Sequence, residues 1–155
     1  MKIDIHSHVY PQKYLDLLSE RDVIPRIENR SDGKHLMIFP RETERLGDSR
    51  AINSSYWNLD EKITFMKKNN INRTMLSLGN PWLDFMKPSD AIKWAAIINE
   101  EIEALAEEKD CFEGMAVVPM QSINGTNKEL DHIKTLKQLR AVSIGTRPKG
   151  KHLDD

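Results

Sequence analysis

His6 and His8 stand two residues apart in the segment Lys2-Ile3-Asp4-Ile5-His6-Ser7-His8. Imidazole pairs of this kind are the donors from which zinc centres are built. The apolar residues Ile3 and Ile5 read as a short strand, and side chains two apart on a strand project to the same side. The spacing therefore predicts both rings on one face, with His8 at the C-terminal edge of the strand. A catalytic zinc usually takes three protein ligands and a water, and no third ligand is evident in the rest of the chain. The pair is half of a metal site, or a strand end that binds nothing.

The elements that would carry the pair follow in regular order. Pro11 opens a short helix with Tyr14, Leu15 and Leu18 on one side. Residues 21–55 read as irregular and charged, with a turn at Ser31-Asp32-Gly33-Lys34 and a strand over 35–39. That stretch is too long for an ordinary loop, so it is expected to be an insertion after the first βα unit. Its topology predicts that it folds over the C-terminal face of the strands, close to His8. Asn58 caps a helix whose buried stripe is Leu59, Ile63 and Met66. Strands are predicted over 73–78, 114–118 and 141–145. Between them, helices are predicted over 88–109, with Ile92, Ala95, Ala96, Ile98, Ile102 and Leu105 apolar, and over 127–139, with Leu130, Ile133, Leu136 and Leu139 inward. Alternating strands and helices argue for parallel strands with helical crossovers. Four such steps are half of an eight-stranded barrel.

Composition narrows the classes of function. The chain has 155 residues, enough for one domain with a sizeable core. Its 23 basic and 24 acidic residues are mixed and leave a net charge of -1. That balance gives no support for nucleic-acid or anionic-membrane partners. Mean hydropathy is -0.58, and no apolar run approaches membrane-spanning length. The first residues lack the apolar stretch of a signal peptide. Cys111 is the single cysteine, so no internal disulfide forms, and a cytoplasmic location is the expectation.

Several segments, taken together and in order, carry a resemblance. They are Ile3-Asp4-Ile5-His6-Ser7-His8 with Pro11; Trp57-Asn58-Leu59-Asp60 with Ile63 and Met66; and Pro81-Trp82 with Lys87-Pro88-Ser89-Asp90. Further on come Gly114 and Val118-Pro119-Met120-Gln121, then Ile144-Gly145-Thr146 with Gly150 and Leu153-Asp154-Asp155. In these the chain resembles the aminocarboxymuconate-semialdehyde decarboxylase family of the amidohydrolase superfamily. The resemblance implies an α/β fold, the first half of a (β/α)8 TIM barrel with parallel strands and an insertion over residues 21–55. Residues 1–155 would then be the amino-terminal part of one metal-dependent barrel domain. The resemblance also implies a divalent metal, zinc first, with His6 and His8 as its first two ligands. The remaining ligands and the catalytic histidine are expected beyond Asp155. His35, His132 and His152 are not assigned to the metal; His35 reads as a surface residue of the insertion and His132 as a solvent-facing helix residue.

The family's substrate-binding arginine, four residues before the tryptophan, has Asn53 in its place. Arg50, three residues upstream of Asn53, is either its substitute or a solvated surface charge. A guanidinium suits a carboxylate because its fork donates two parallel hydrogen bonds. Trp82, after the second barrel strand, falls on the side where barrel active sites form, and is either substrate-binding or a spacer.

The activity expected of the complete protein is decarboxylation of a small unsaturated or aromatic carboxylic acid. A metal-dependent hydrolase or hydratase of the same superfamily is the alternative. A catalytically inactive half-barrel, acting as a binding or assembly module, is the second. As a chain of 155 residues it is expected to be inactive by itself. A half-barrel has two unpaired strand edges, so a homo-oligomer is also expected.

Overall fold

Strand and helix alternate as their residue types require. In order the elements are β1 (Ile3–Val9), α1 (Gln12–Ser19), β2 (Arg26–Arg30), β3 (Gly33–Met37), α2 (Arg41–Glu44), β4 (Arg50–Ile52) and a 3-10 turn (Ser54–Tyr56). They continue with α3 (Leu59–Lys68), β5 (Arg73–Leu78), α4 (Pro88–Glu107), β6 (Phe112–Val117), α5 (Ile123–Ile133) and β7 (Leu139–Ser143). This computed structural model describes residues 1–44 and 48–145. The expected terminal loop, His152 and the last residues of the family resemblance lie outside the described part.

Four strands form one parallel sheet in the order β1-β5-β6-β7. Its helix-side face is apolar. Leu76 and Leu78 of β5 and Phe112 and Ala116 of β6 are buried in one core with Ala95, Ile98 and Ile102 of α4. The α/β class and the series of four parallel strands are as the sequence predicts. Among the described residues no helix is long and apolar enough to cross a membrane.

Three expectations are corrected. Within residues 21–55 the strand expected over 35–39 runs from Gly33 to Met37 and has two partners that were not expected: β2, β3 and β4 form an antiparallel sheet, with Ile27 opposite Leu36 and His35 opposite Ala51. These strands are short and charged, which hides their alternation. The helix expected over 127–139 runs from Ile123 to Ile133, because the Ser122 hydroxyl caps it by accepting from the Gly125 amide at 3.0 Å. Leu139 instead opens β7, opposite Gly114, and Leu130 is exposed. On α4 the buried face holds Ala91, Asn99 and Glu103, while Ile92 is exposed.

The two described histidines outside β1 are also placed differently. His35 is buried, with its ring nitrogens 2.9 Å from Ser49 Oγ and 3.0 Å from Asp32 Oδ1. An acid, an imidazole and a hydroxyl in line suggest a hydrolytic triad. Here, however, Asp32 is exposed and Arg30 donates to Ser49 Oγ at 2.8 Å, so the arrangement ties the β2–β3 hairpin. His132 is half-buried, 3.0 Å from the buried Glu129, which also accepts from Asn99 at 2.7 Å. Asn99 in turn bonds both the amide and the carbonyl of Val117, at 2.8 and 2.9 Å.

Glu103 joins α4 to the start of β7. Its buried carboxylate accepts the backbone amides of Lys137, Gln138 and Leu139 at 2.6–3.1 Å. Backbone donors left without a partner in a dry place are costly. Glu103→Ala is expected to lower the unfolding free energy by on the order of 3 kcal/mol in urea titrations. A loss below about 1 kcal/mol would show that water replaces the carboxylate.

Candidate metal and substrate site

β1 carries the histidines and departs from regular pairing at that point. Asp4 faces Thr74 and Ser7 faces Leu76, so three steps on β1 match two on β5. That is the count of a β-bulge, a device that re-aims side chains. His6 and His8 nevertheless fall together: their ring centroids are 4.8 Å apart at 73°. His8 sits opposite Ser77 of β5, whose Oγ lies 3.3 Å from its Nδ1. The Asp4 carboxylate accepts the His6 amide at 3.0 Å, and the Lys62 ammonium donates to the His8 carbonyl at 2.6 Å. Asp4, His6, His8 and Lys62 line a recess of about 360 Å³ together with Glu61, Phe65 and Met66 of α3.

Electrostatics favour the neutral form of His8. Burial pushes its pKa below the ordinary imidazole value, and His6 and Lys62 push the same way against the hydrogen bond to Ser77. A neutral ring is the form that can ligate a metal. Burial also pushes the Lys62 ammonium below the usual lysine range, against the pull of Asp4 and Glu61. Among the described residues no group of three or more His, Cys, Asp or Glu could hold a metal ion. The histidine pair therefore offers two nitrogen donors and no more.

Arg50 and Trp82 line a second recess, of about 280 Å³, with Phe39, Pro81, Asp84 and Phe85. Arg50 does not line the recess of the histidines. Its Nε is 3.4 Å from Glu42 Oε1, and its guanidinium carbon lies 5.5 Å from the centre of the Phe39 ring. Trp82 is half-buried against the core, and its Nε1 donates to the carbonyl of Leu78, the last residue of β5, at 3.2 Å. Its ring also comes so close to Gly145, just after β7, that a Cβ there would lie 3.0 Å from Cζ3. Trp82 thus spans the C-terminal ends of the strands, where sheets of this type place ligands.

Two tyrosines hold the segment that carries Trp82. The Tyr10 hydroxyl donates to the Asn80 carbonyl, and the Tyr14 hydroxyl to the Pro81 carbonyl at 2.6 Å. Burial pushes both phenols well above their ordinary range, so both remain donors at neutral pH. The Tyr10 ring also lies tilted against Tyr56, at 5.3 Å between centroids, and its amide donates to the Tyr56 carbonyl at 2.9 Å. The end of β1 is thereby tied to the 3-10 turn that follows β4.

No family model matches the chain. A 2-amino-3-carboxymuconate-6-semialdehyde decarboxylase of Dictyostelium discoideum is 25% identical over 159 residues, covering 100% of this chain and 43% of that protein. The crystal structure of Metarhizium anisopliae IDCase in apo form is 29% identical with a TM-score of 0.90, covering 100% of this chain and 45% of that one. The chain is similar to the aminocarboxymuconate-semialdehyde decarboxylases. The 5-carboxyvanillate decarboxylase LigW of Sphingomonas paucimobilis shares the fold, at 18% identity and a TM-score of 0.75, covering 99% of this chain and 45% of that one. The chain spans less than half the length of these relatives. Its four parallel strands correspond to half of a (β/α)8 barrel.

Within this half-barrel, residue types and spacing single out His6, His8, Arg50 and Trp82 but not Asp4, Ser77, Lys62 or Glu42. Ser77 had a signal, since it is a polar residue near the end of an apolar strand. Lys62 and Glu42 read as ordinary surface charges, and only the tertiary fold gives them partners. Tyr14→Phe removes the donor to the Pro81 carbonyl and is expected to cost about 1–2 kcal/mol in thermal or urea unfolding. An unchanged stability would show that the segment carrying Trp82 is held by other contacts.

Proposed function

We propose that this chain forms part of a metal-dependent decarboxylase for a small unsaturated or aromatic carboxylic acid. His6 and His8 are two ligands of a divalent ion, zinc first. Arg50 and Trp82 bind the substrate, the guanidinium facing a carboxylate and the indole lying against a planar body. The reading rests above all on one observation: a histidine pair, one ring favoured neutral, at the C-terminal end of a parallel strand. It is supported by the names of relatives that are decarboxylases. When bound, the ion would supply Lewis acidity to a substrate oxygen. The chain's own contribution is to favour the neutral form of His8, to hold the two rings side by side, and to offer a cation and an aromatic wall in the recess of Trp82.

The same reading takes residues 1–155 as part of one barrel domain, with residues 21–55 as an insertion. It places the protein in the cytoplasm and makes it a homo-oligomer, since Ile3 and Ile5 on β1 and Val142 on β7 are exposed apolar residues on the two end strands of the sheet. A second reading, a binding or assembly module without activity of its own, is favoured by the lack of a third donor among the described residues.

Zinc titration of the 155-residue chain by calorimetry tests the metal. Weak binding that His6→Ala or His8→Ala removes is expected. Binding indifferent to both changes would defeat the assignment, and nanomolar zinc retained through dialysis would show that more than two ligands are at work. With zinc and 2,6-dihydroxybenzoate or 5-carboxyvanillate, CO2 release by the chain alone is expected at background. Turnover that His8→Ala abolishes would mean that another copy completes the site.

A further inference from the structure

Arg50 is close to half exposed, at 46% of its side chain, and an exposed arginine is a poor instrument for recognition. It samples many rotamers, and ordering it on binding opposes affinity. The structure supplies a device against this. Glu42 is 2% exposed, although it is a carboxylate. Its Oε2 accepts the backbone amides of Ile38 and Phe39 at 2.6 and 2.8 Å. Those two bonds fix the plane of the carboxylate and leave Oε1 facing Arg50 Nε at 3.4 Å. The same turn presents the Phe39 ring at 5.5 Å from the guanidinium carbon. One short stretch therefore offers Arg50 an anion and an aromatic face together.

The direction of the contact matters. Glu42 meets Nε, the inner edge of the guanidinium. The two terminal Nη groups, which form the fork that grips a carboxylate, are the outer edge. Burial alone would raise the Glu42 pKa, but the Phe39 and Ile38 amides, with Arg50 and Arg41, hold it below the usual carboxylate range. The anion is thus present throughout the neutral range.

We infer that Glu42 is a positioning residue: its immobilised carboxylate orients Arg50 so that the guanidinium fork faces a substrate carboxylate in the recess beside Trp82. This rests on the reading of Arg50 as substrate-binding. Glu42 touches no substrate in this scheme; it acts through Arg50.

The test uses the whole chain, with 2,6-dihydroxybenzoate as the acid probe and resorcinol as its neutral counterpart, each titrated by NMR. The unaltered chain should prefer the acid, and Arg50→Ala should abolish that preference. Glu42→Gln keeps a carbonyl oxygen for the two amides but removes the charge facing Nε. It should weaken the acid about fivefold and leave resorcinol unchanged, and it should add nothing once Arg50 is alanine. If the unaltered chain shows no preference, or Arg50→Ala leaves it intact, the reading of Arg50 falls and the inference with it. If Arg50→Ala abolishes the preference while Glu42→Gln leaves the acid unaffected or binds it more tightly, the reading of Arg50 stands and the positioning role is wrong. Equal weakening of both probes would make Glu42 purely structural. Should Glu42→Gln fail to fold by circular dichroism, the Arg50 Nε–H signal of the unaltered chain decides: slowed exchange with solvent supports the contact, and free exchange overturns it.

Discussion

The parallel pairing of β1 with β5 is the constraint on which the rest of the candidate site depends. It sets His8 opposite Ser77 and Val9 opposite Leu78. The chain then leaves β1 as Tyr10 and Tyr14 at the level where β5 becomes the Asn80-Pro81-Trp82 segment. Both hydroxyls meet carbonyls of that segment because the two strands end together. A slip of one residue would send His6 and His8 to the helix side and bring Val9 out of the core, since side chains alternate with period two. The bulge between Asp4 and Ser7 absorbs one extra residue without that slip. The histidine pair and the tryptophan segment are therefore placed by one interaction, although they lie more than 70 residues apart in the chain.

Buried acids form a second theme. Glu42, Glu103 and Glu129 are all nearly inaccessible, and each is satisfied by donors on neighbouring elements. Glu103 gathers the amides that open β7, Glu129 joins Asn99 to His132, and Glu42 gathers the amides before α2. A buried carboxylate is tolerated only where hydrogen bonds and charge replace its water. In return it fixes the place of backbone that has no regular ladder to hold it. Charge counts along the chain cannot reveal this use of acids, because a glutamate that caps a loop and one that sits in water have the same composition.

The legibility of the fold follows the same division. β5 is legible to the residue, because Met75, Leu76 and Leu78 form a short run bounded by turn residues. The Asn58 cap was equally plain: its side chain accepts from the Asp60 and Glu61 amides as the residue types demand. β2 and β4 are not legible, because Arg26-Ile27-Glu28-Asn29-Arg30 and Arg50-Ala51-Ile52 have too few apolar residues to show a period. The end of α5 was missed because Leu136 and Leu139 continue its helical spacing, and only the amide-gathering carboxylate of Glu103 shows that the chain has already turned toward β7. At the site, the histidine spacing was legible because strand geometry acts over two residues. The partners of Arg50 are not legible, since Glu42 on α2 meets Arg50 on β4 only through the tertiary fold.

The sheet also explains why chemistry and cover are separated in this chain. The face toward α4 is closed, with Leu76, Leu78, Phe112 and Ala116 all buried. The two end strands keep side chains in the open: His6 and Ile5 on β1, Val142 on β7, and Ile144 just beyond it. A metal or substrate site works best where water is excluded, because charge interactions weaken steeply in a high dielectric. Among the described residues nothing gives His6 that environment, since its side chain is exposed. The relatives, more than twice as long as this chain, carry this half-barrel as part of a larger structure. The exposed apolar residues and the exposed histidine thus point to the same requirement. Cover over the end strands of this sheet would bury the exposed apolar residues and the exposed histidine together, so one surface serves both packing and the dryness of the candidate site.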